Sequence, residues 1–153
     1  MKYTIKQPEN MGGVVRLWAI PPKDITINGN RAVLSSFDNV VELNITQDTA
    51  GATVIPAHSF AGTTYKHEIT GFIPGFDSET ETIIKDMMRQ RRFVVFYMDS
   101  NGDRVLLGRT EIPIRFNAEF STGLTPAEPR GYKISFSGNV HYPPVRLLSD
   151  PND

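Results

Sequence analysis

The sequence predicts a mostly β protein, an antiparallel β-sandwich or barrel carrying a single amphipathic α-helix at about residues 78–91. Three observations carry that expectation. Ile112, Ile114, Phe116, Ala118 and Phe120 alternate with Pro113, Arg115, Asn117 and Glu119, and Tyr132, Ile134, Phe136, Gly138, Val140 and Tyr142 alternate with Lys133, Ser135, Ser137, Asn139 and His141. Period-2 order of this kind gives a strand one apolar and one wet face, and a helix cannot sort those residues that way. Turn-forming residues punctuate the chain at short intervals, which implies many short antiparallel strands. One segment alone, Asp77 to Arg92, follows the helical period.

The elements follow in order. Residues 14–20, 25–28 and 31–35 read as strands, with Asn28-Gly29 as a two-residue hairpin turn between the second and third. Phe37, Asn39, Val41, Leu43 and Ile45 alternate with Asp38, Glu42 and Asn44, predicting a strand there. Short strands are expected at 53–55 and 65–72, with 46–64 otherwise a loop, and Asp48 to Gly51 and Pro126 to Gly131 read as turns. In the helix, Ser78 followed by Glu81 makes a capping box, and Arg89, Arg91 and Arg92 stand where the dipole favours cations. Ile83, Ile84, Met87 and Met88 form its packing stripe, all four expected in the core. The run Phe93–Met98 has little polar alternation and is expected to be covered on both faces, the helix being one cover. Pro113 lacks a ladder donor, so its strand lies at an edge or begins there. The chain divides into an N-terminal arm (1–12), one β-rich domain (13–148) and a polar C-terminal tail (149–153).

Composition narrows the function. With 153 residues, 39% hydrophobic and 22% charged, the chain has the makings of one folded domain. A net charge of −1 argues against a dedicated nucleic-acid binder. The absence of Cys excludes thiol catalysis and thiolate metal sites. No apolar run approaches the roughly 20 residues that a bilayer span needs, and the first residues lack an apolar signal core, so a soluble protein with no membrane partner is expected.

The search for chemistry is negative. Asp99, Asn101 and Asp103 imitate the start of a calcium loop, but Gly102 falls in the fourth position, Arg104 in the sixth and Thr110 in the twelfth. The alternative, a hairpin turned at Asn101-Gly102, is preferred. His58, His67 and His141 have no metal-ligand spacing. Gly71 to Phe76 (GFIPGF) lacks the lysine and spacing of a phosphate loop and reads as a strand-to-helix connection. Asp77, Glu79 and Glu81 are accounted for by capping and dipole effects rather than by carboxylate-pair hydrolysis. Arg89–Arg92 with Lys85 is the basic cluster, able to touch phosphates or simply a solvated helix end. Trp18, Tyr65 and Tyr97 are the aromatic candidates for a carbohydrate or protein groove. No catalytic residue, cofactor or metal is expected, and the weight moves towards a structural or binding role.

The order of parts, an all-β domain with one helix between strands, then FVVFYM, the DSNGDR hairpin and the late strand GYKISFSGNV, resembles the tail-tube and related tail or connector proteins of bacteriophages and prophages. GGVVRLWAIPP, EITGFIPG and RRFVVFYMDSNGDRVLLG add to the likeness, which spans roughly residues 12–140. It implies a structural virion protein, not an enzyme. Such a protein assembles with itself into rings, hexameric in the family, which stack and let DNA pass through, and it contacts other tail or connector proteins. Carried over to this chain, 112–120 and 132–142 become ring-wall strands. Lys133, Ser135, Ser137 and Asn139 would face water or a lumen, and the arm and 46–64 would reach neighbours. A terminator, stopper or connector of similar architecture, and a β-sandwich binding module, are the alternatives.

Overall fold

The computed structural model describes residues 12–43, 45–46, 49–75, 77–127 and 130–147. The expected arm apart from Gly12, the tail 149–153, Asn44, Asp48, Phe76 and the middle of the 126–131 turn lie outside the described residues.

In chain order the elements are β1 (Val14–Ile20), a 3-10 turn (Pro22–Asp24), β2 (Ile25–Asn28), β3 (Arg31–Leu34), β4 (Val41–Leu43), β5 (Gly51–Ser59), β6 (Gly62–Pro74), α1 (Ser78–Gln90), β7 (Arg92–Asp99), β8 (Arg104–Leu107), β9 (Ile114–Ser121), β10 (Gly131–Val140) and β11 (Val145–Leu147). Among the described residues the fold is mostly β with one α-helix, and every strand pairing is antiparallel. One sheet runs β11-β8-β7-β9-β10-β6-β5, with β1 also on β7 and β4 on β1; β2 and β3 form a separate ribbon. The sheet folds on itself at β7. Only Arg92↔Arg115 and Phe93↔Ile114 join β7 to β9, while residues further along β7 pair with β1 and β8.

The main core lies between the two halves. Leu17, Val95 and Leu107 come from one half, and Ile69, Phe116, Ile134 and Phe136 from the other. The rings of Phe93, Phe116 and Phe136 meet with centroids 4.9–6.2 Å apart, tying β7, β9 and β10 together. Val94 and Phe96 point the other way, into a second core with Ile20, Leu106, Ile25 and Ala32. The both-faces expectation for β7 therefore holds, but the cover on its second face is the β2–β3 ribbon.

The helix forms where expected, with three corrections. Its N-cap is Asp77, one residue before the predicted Ser78: Asp77 Oδ1 accepts the Thr80 amide at 2.8 Å. Hydrogen bonding from the Thr80 side chain, together with that amide, holds the Asp77 carboxyl below its usual pKa. The helix ends at Gln90, and Arg91 caps it at φ 65°, its amide bonded to Met87 O. Of the stripe, Ile84 and Met87 are buried and Met88 is half-buried against the core, but Ile83 is 38% exposed. At 100° per residue, Ile83 and Met88 fall to the two sides of the contact line, and Ile83 has rotated out of it.

Two further expectations shift. The β2–β3 turn is Gly29-Asn30, because Asn28 pairs with Arg31. The strand predicted over 37–45 is reduced to Val41–Leu43. Phe37 is 62% exposed, and its carbonyl accepts the Val40 amide in a turn. The polar residues Asp38 and Asn39, read as successive members of the two phases of an alternation, are turn residues instead. Pro113 behaves as expected, since β9 begins immediately after it.

Candidate assembly surface

The alternation of β9 and β10 places its polar phase on one open face. The ladder registers align Arg115, Ser137, Glu68 and Thr53 in one row across β9, β10, β6 and β5. Asn117, Ser135, Thr70 and Gly51 form the next row, and Glu119, Lys133 and Phe72 the one after. All four wall-strand candidates share this face: Lys133 and Asn139 are exposed, and Ser135 and Ser137 are half-buried. Its charges are mixed, with Lys66, Arg115 and Lys133 against Glu68 and Glu119, and Lys66 lies 3.6 Å from Glu68. A shallow concavity of about 630 Å³ crosses the face between Thr46, Phe72, Glu119 and Lys133. This is a wet surface without a strong field of either sign.

A feature that sequence reasoning missed adjoins it. Most of the segment expected to be a loop, 46–64, is β5 and the start of β6, a hairpin paired from Gly51↔Thr70 to Ser59↔Gly62. The last rung that β10 supplies to β6 is Val140↔Tyr65. Beyond it, 57–64 projects as a two-stranded ribbon. The ribbon is held by its ladder, by His58 Nδ1 against Thr63 Oγ1 at 2.9 Å and by Ser59 Oγ donating to Gly62 O. Phe60 at the tip is fully exposed, and Ile55 is 56% exposed. Among the described residues β5 is an edge strand. Pro56 interrupts that edge: proline is tolerated in a ladder only where the missing N–H would point away from the partner strand. The free edge therefore lacks one donor midway along.

The other singled-out residues are accounted for locally. Asp99 Oδ1 accepts the amides of Asn101 and Asp103, and Asp103 Oδ1 accepts from Arg146 at 2.6 Å. The hairpin reading holds with one adjustment: Asp99 N donates to Asp103 O, so the loop is Ser100-Asn101-Gly102, with Gly102 at φ 84°. Ser100 Oγ in turn donates to Gly12 O, fastening the start of the described chain to this loop. Trp18 packs on Phe96 with Arg16 4.6 Å over its ring. Burial pushes the Tyr97 phenol up, with Asp99 and Asp103 adding to the effect. Trp18, Tyr65 and Tyr97 stand on β1, β6 and β7 and line none of the concavities described for this chain. His67 is buried and structural, as developed below; His58 and His141 are exposed. Among the described residues no helix is long and apolar enough to cross a membrane.

The described residues define a mostly β domain with a wet sheet face and a projecting hairpin that no other described strand supports. Comparisons with protein-family models, with curated proteins and with solved structures find no match.

Proposed function

We propose that this chain is a structural protomer of a phage or prophage tail, assembling with itself into rings that form or join the tube through which DNA passes. The observation that carries the self-assembly reading is the hairpin 57–64. A two-stranded ribbon is marginal in water unless something packs against it. This one extends past its last supporting strand with Phe60 bare at the tip. A neighbouring copy would supply the missing support. The balanced polar face of β9, β10 and β6 supports a lumen role for Lys133, Ser135, Ser137 and Asn139, because a conduit must not hold the phosphates that pass it. Localisation in a virion and contact with other tail or connector proteins belong to the same reading, as does the ring number of six.

Light scattering coupled to size exclusion, with negative-stain microscopy of the same fractions, tests it. Rings or stacked rings are expected for the native chain, and Phe60→Ser should shift them towards protomers without lowering the protomer's own melting temperature. A native chain that stays monomeric at high concentration overturns the ring reading. Assembly indifferent to Phe60→Ser removes the hairpin from it.

A further inference from the structure

At the margin of the polar face, the end of α1 and the start of β9 build a cationic trough that shares Arg115, Asn117, Ser135 and Ser137 with that face. It has a volume of about 570 Å³ and is lined by Arg89, Arg91, Arg115, Asn117, Ser135 and Ser137, among others. The three arginines come from three places: the last turn of the helix, its cap and β9. Arg92 stands directly across the ladder from Arg115, so the two cations share one side of the sheet. Like charges in that position repel. The helix dipole offsets the cost for Arg89 and Arg91 but not for Arg115 facing Arg92. Asp86 reaches Arg89 at 3.9 Å, whereas Arg91, Arg92 and Arg115 have no ion-pair partner among the described residues. Arg91 also holds φ 65°, a conformation an L side chain occupies at a cost, while its carbonyl accepts the Phe116 amide at 2.7 Å and so locks the cap onto β9.

We infer that this trough binds a phosphate group. A carboxylate offers two oxygens in one plane, which one guanidinium satisfies. Three guanidinium groups around one concavity with two serine hydroxyls suit the several oxygens of a tetrahedral phosphate. A bound dianion also offsets the Arg92–Arg115 repulsion. The source is either free inorganic phosphate or the phosphodiester of a nucleic acid, and because Ser135 and Ser137 are shared with the proposed lumen face, retention of the phosphodiester would take those two serines out of a lumen role. Every residue involved belongs to one protomer, so binding does not depend on ring formation.

The test is thermal melting of the native chain in inorganic phosphate against chloride at matched ionic strength, with parallel titrations of duplex DNA and of polyglutamate. Phosphate at about ten times its Kd is expected to raise Tm by about 3 °C over chloride. Arg115→Gln and Arg91→Gly should each abolish that rise. Both variants are built to fold: the first relieves the repulsion with Arg92, and the second places glycine at a positive φ, so neither should melt below the native chain in chloride. A response to duplex DNA but not to free phosphate, lost in both variants, identifies the phosphodiester as the source. No response to either source overturns the inference. So does a response that survives in both variants, or one that polyglutamate matches at equal charge.

Discussion

His67 offers the sharpest test of how this core is held. It lies on β6 at 1% exposure. Its Nδ1 accepts the Gly108 amide at 3.1 Å, so Nε2 carries the ring proton and donates to Tyr142 O at 3.1 Å. The neutral ring thus satisfies the buried Gly108 donor and the part-buried Tyr142 acceptor, just past the ends of β8 and β10. A second proton would set Nδ1–H against the Gly108 N–H. Desolvation by burial lowers the pKa below the ordinary 6.5, and Arg109 lowers it further, against the opposing effect of the Tyr142 bond. Replacing His67 with Leu keeps much of the volume but strands the buried Gly108 amide, at roughly 1–3 kcal/mol, and the part-buried Tyr142 carbonyl, at roughly 1 kcal/mol, so a loss of about 2–4 kcal/mol is expected at about pH 8. Below 6.5 the unfolded chain takes up the proton before the folded one does, so native stability is complete above 6.5 and falls as pH drops towards the folded pKa. The limiting slope is about 1.4 kcal/mol per pH unit. Urea denaturation at about pH 8 and about pH 5.5 reads both effects. The native chain should lose stability between those values, and His67→Leu should lose much less, because His58 and His141 are exposed. Equal acid sensitivity in the two proteins, or His67→Leu as stable as the native chain at the higher pH, would refute the bridging role.

Three further substitutions probe other parts of the frame. Met87→Asp puts a carboxylate at a helix position only 2% exposed and should cost about 4 kcal/mol or more in urea denaturation; a negligible change would mean the helix is not docked through Met87. Gly131→Ala introduces a Cβ only 2.2 Å from Ile73 O and 2.9 Å from Pro74 Cα, both backbone atoms, and should destabilise by about 3 kcal/mol; near-native melting would show that the β6–β10 ladder end yields freely. Gly102→Val has open space around it, so its expected loss of about 1–2 kcal/mol comes from φ 84° alone. Chelators should leave the melting of the native chain unchanged, and a chelator-induced drop would reopen the calcium reading of Asp99, Asn101 and Asp103.

Legibility in the sequence followed the presence of a core. Where a strand lies over one, its residues must alternate, and the inner phase of β9 and β10 could be read directly, as Ile114, Phe116, Ile134 and Phe136 show. The distal part of the β5–β6 hairpin has no core beneath it. His58, Ser59 and Phe60 are all exposed, and no alternation marks them as strand or turn. Phe37 failed in the opposite sense, because an apolar residue beside Asp38 and Asn39 fits either a strand phase or a turn. The helix cap slipped by one residue because Asp77 and Ser78 are both competent caps, and only the backbone decides which side chain reaches an amide. The trough lay beyond local pattern altogether. Arg92 and Arg115 are 23 positions apart in the chain, and only the β7–β9 register sets them face to face.

The geometry of the free edge bears on how copies would join under the proposed assembly. An unbroken edge strand invites open-ended pairing and aggregation. Here β5 exposes its edge, but Pro56 withholds a donor midway, so a partner strand cannot form a continuous ladder along the whole of 51–59. Contact through the ribbon must then rest on side chains, Ile55 and above all Phe60, and on short stretches of edge on either side of the proline. Contacts of that kind are directional and saturable, as a closed ring requires, whereas free edge pairing would favour fibres. Restoring the donor would therefore make assembly less controlled rather than tighter in the same geometry, and a Pro56→Thr chain is expected to move from discrete particles to polydisperse aggregates.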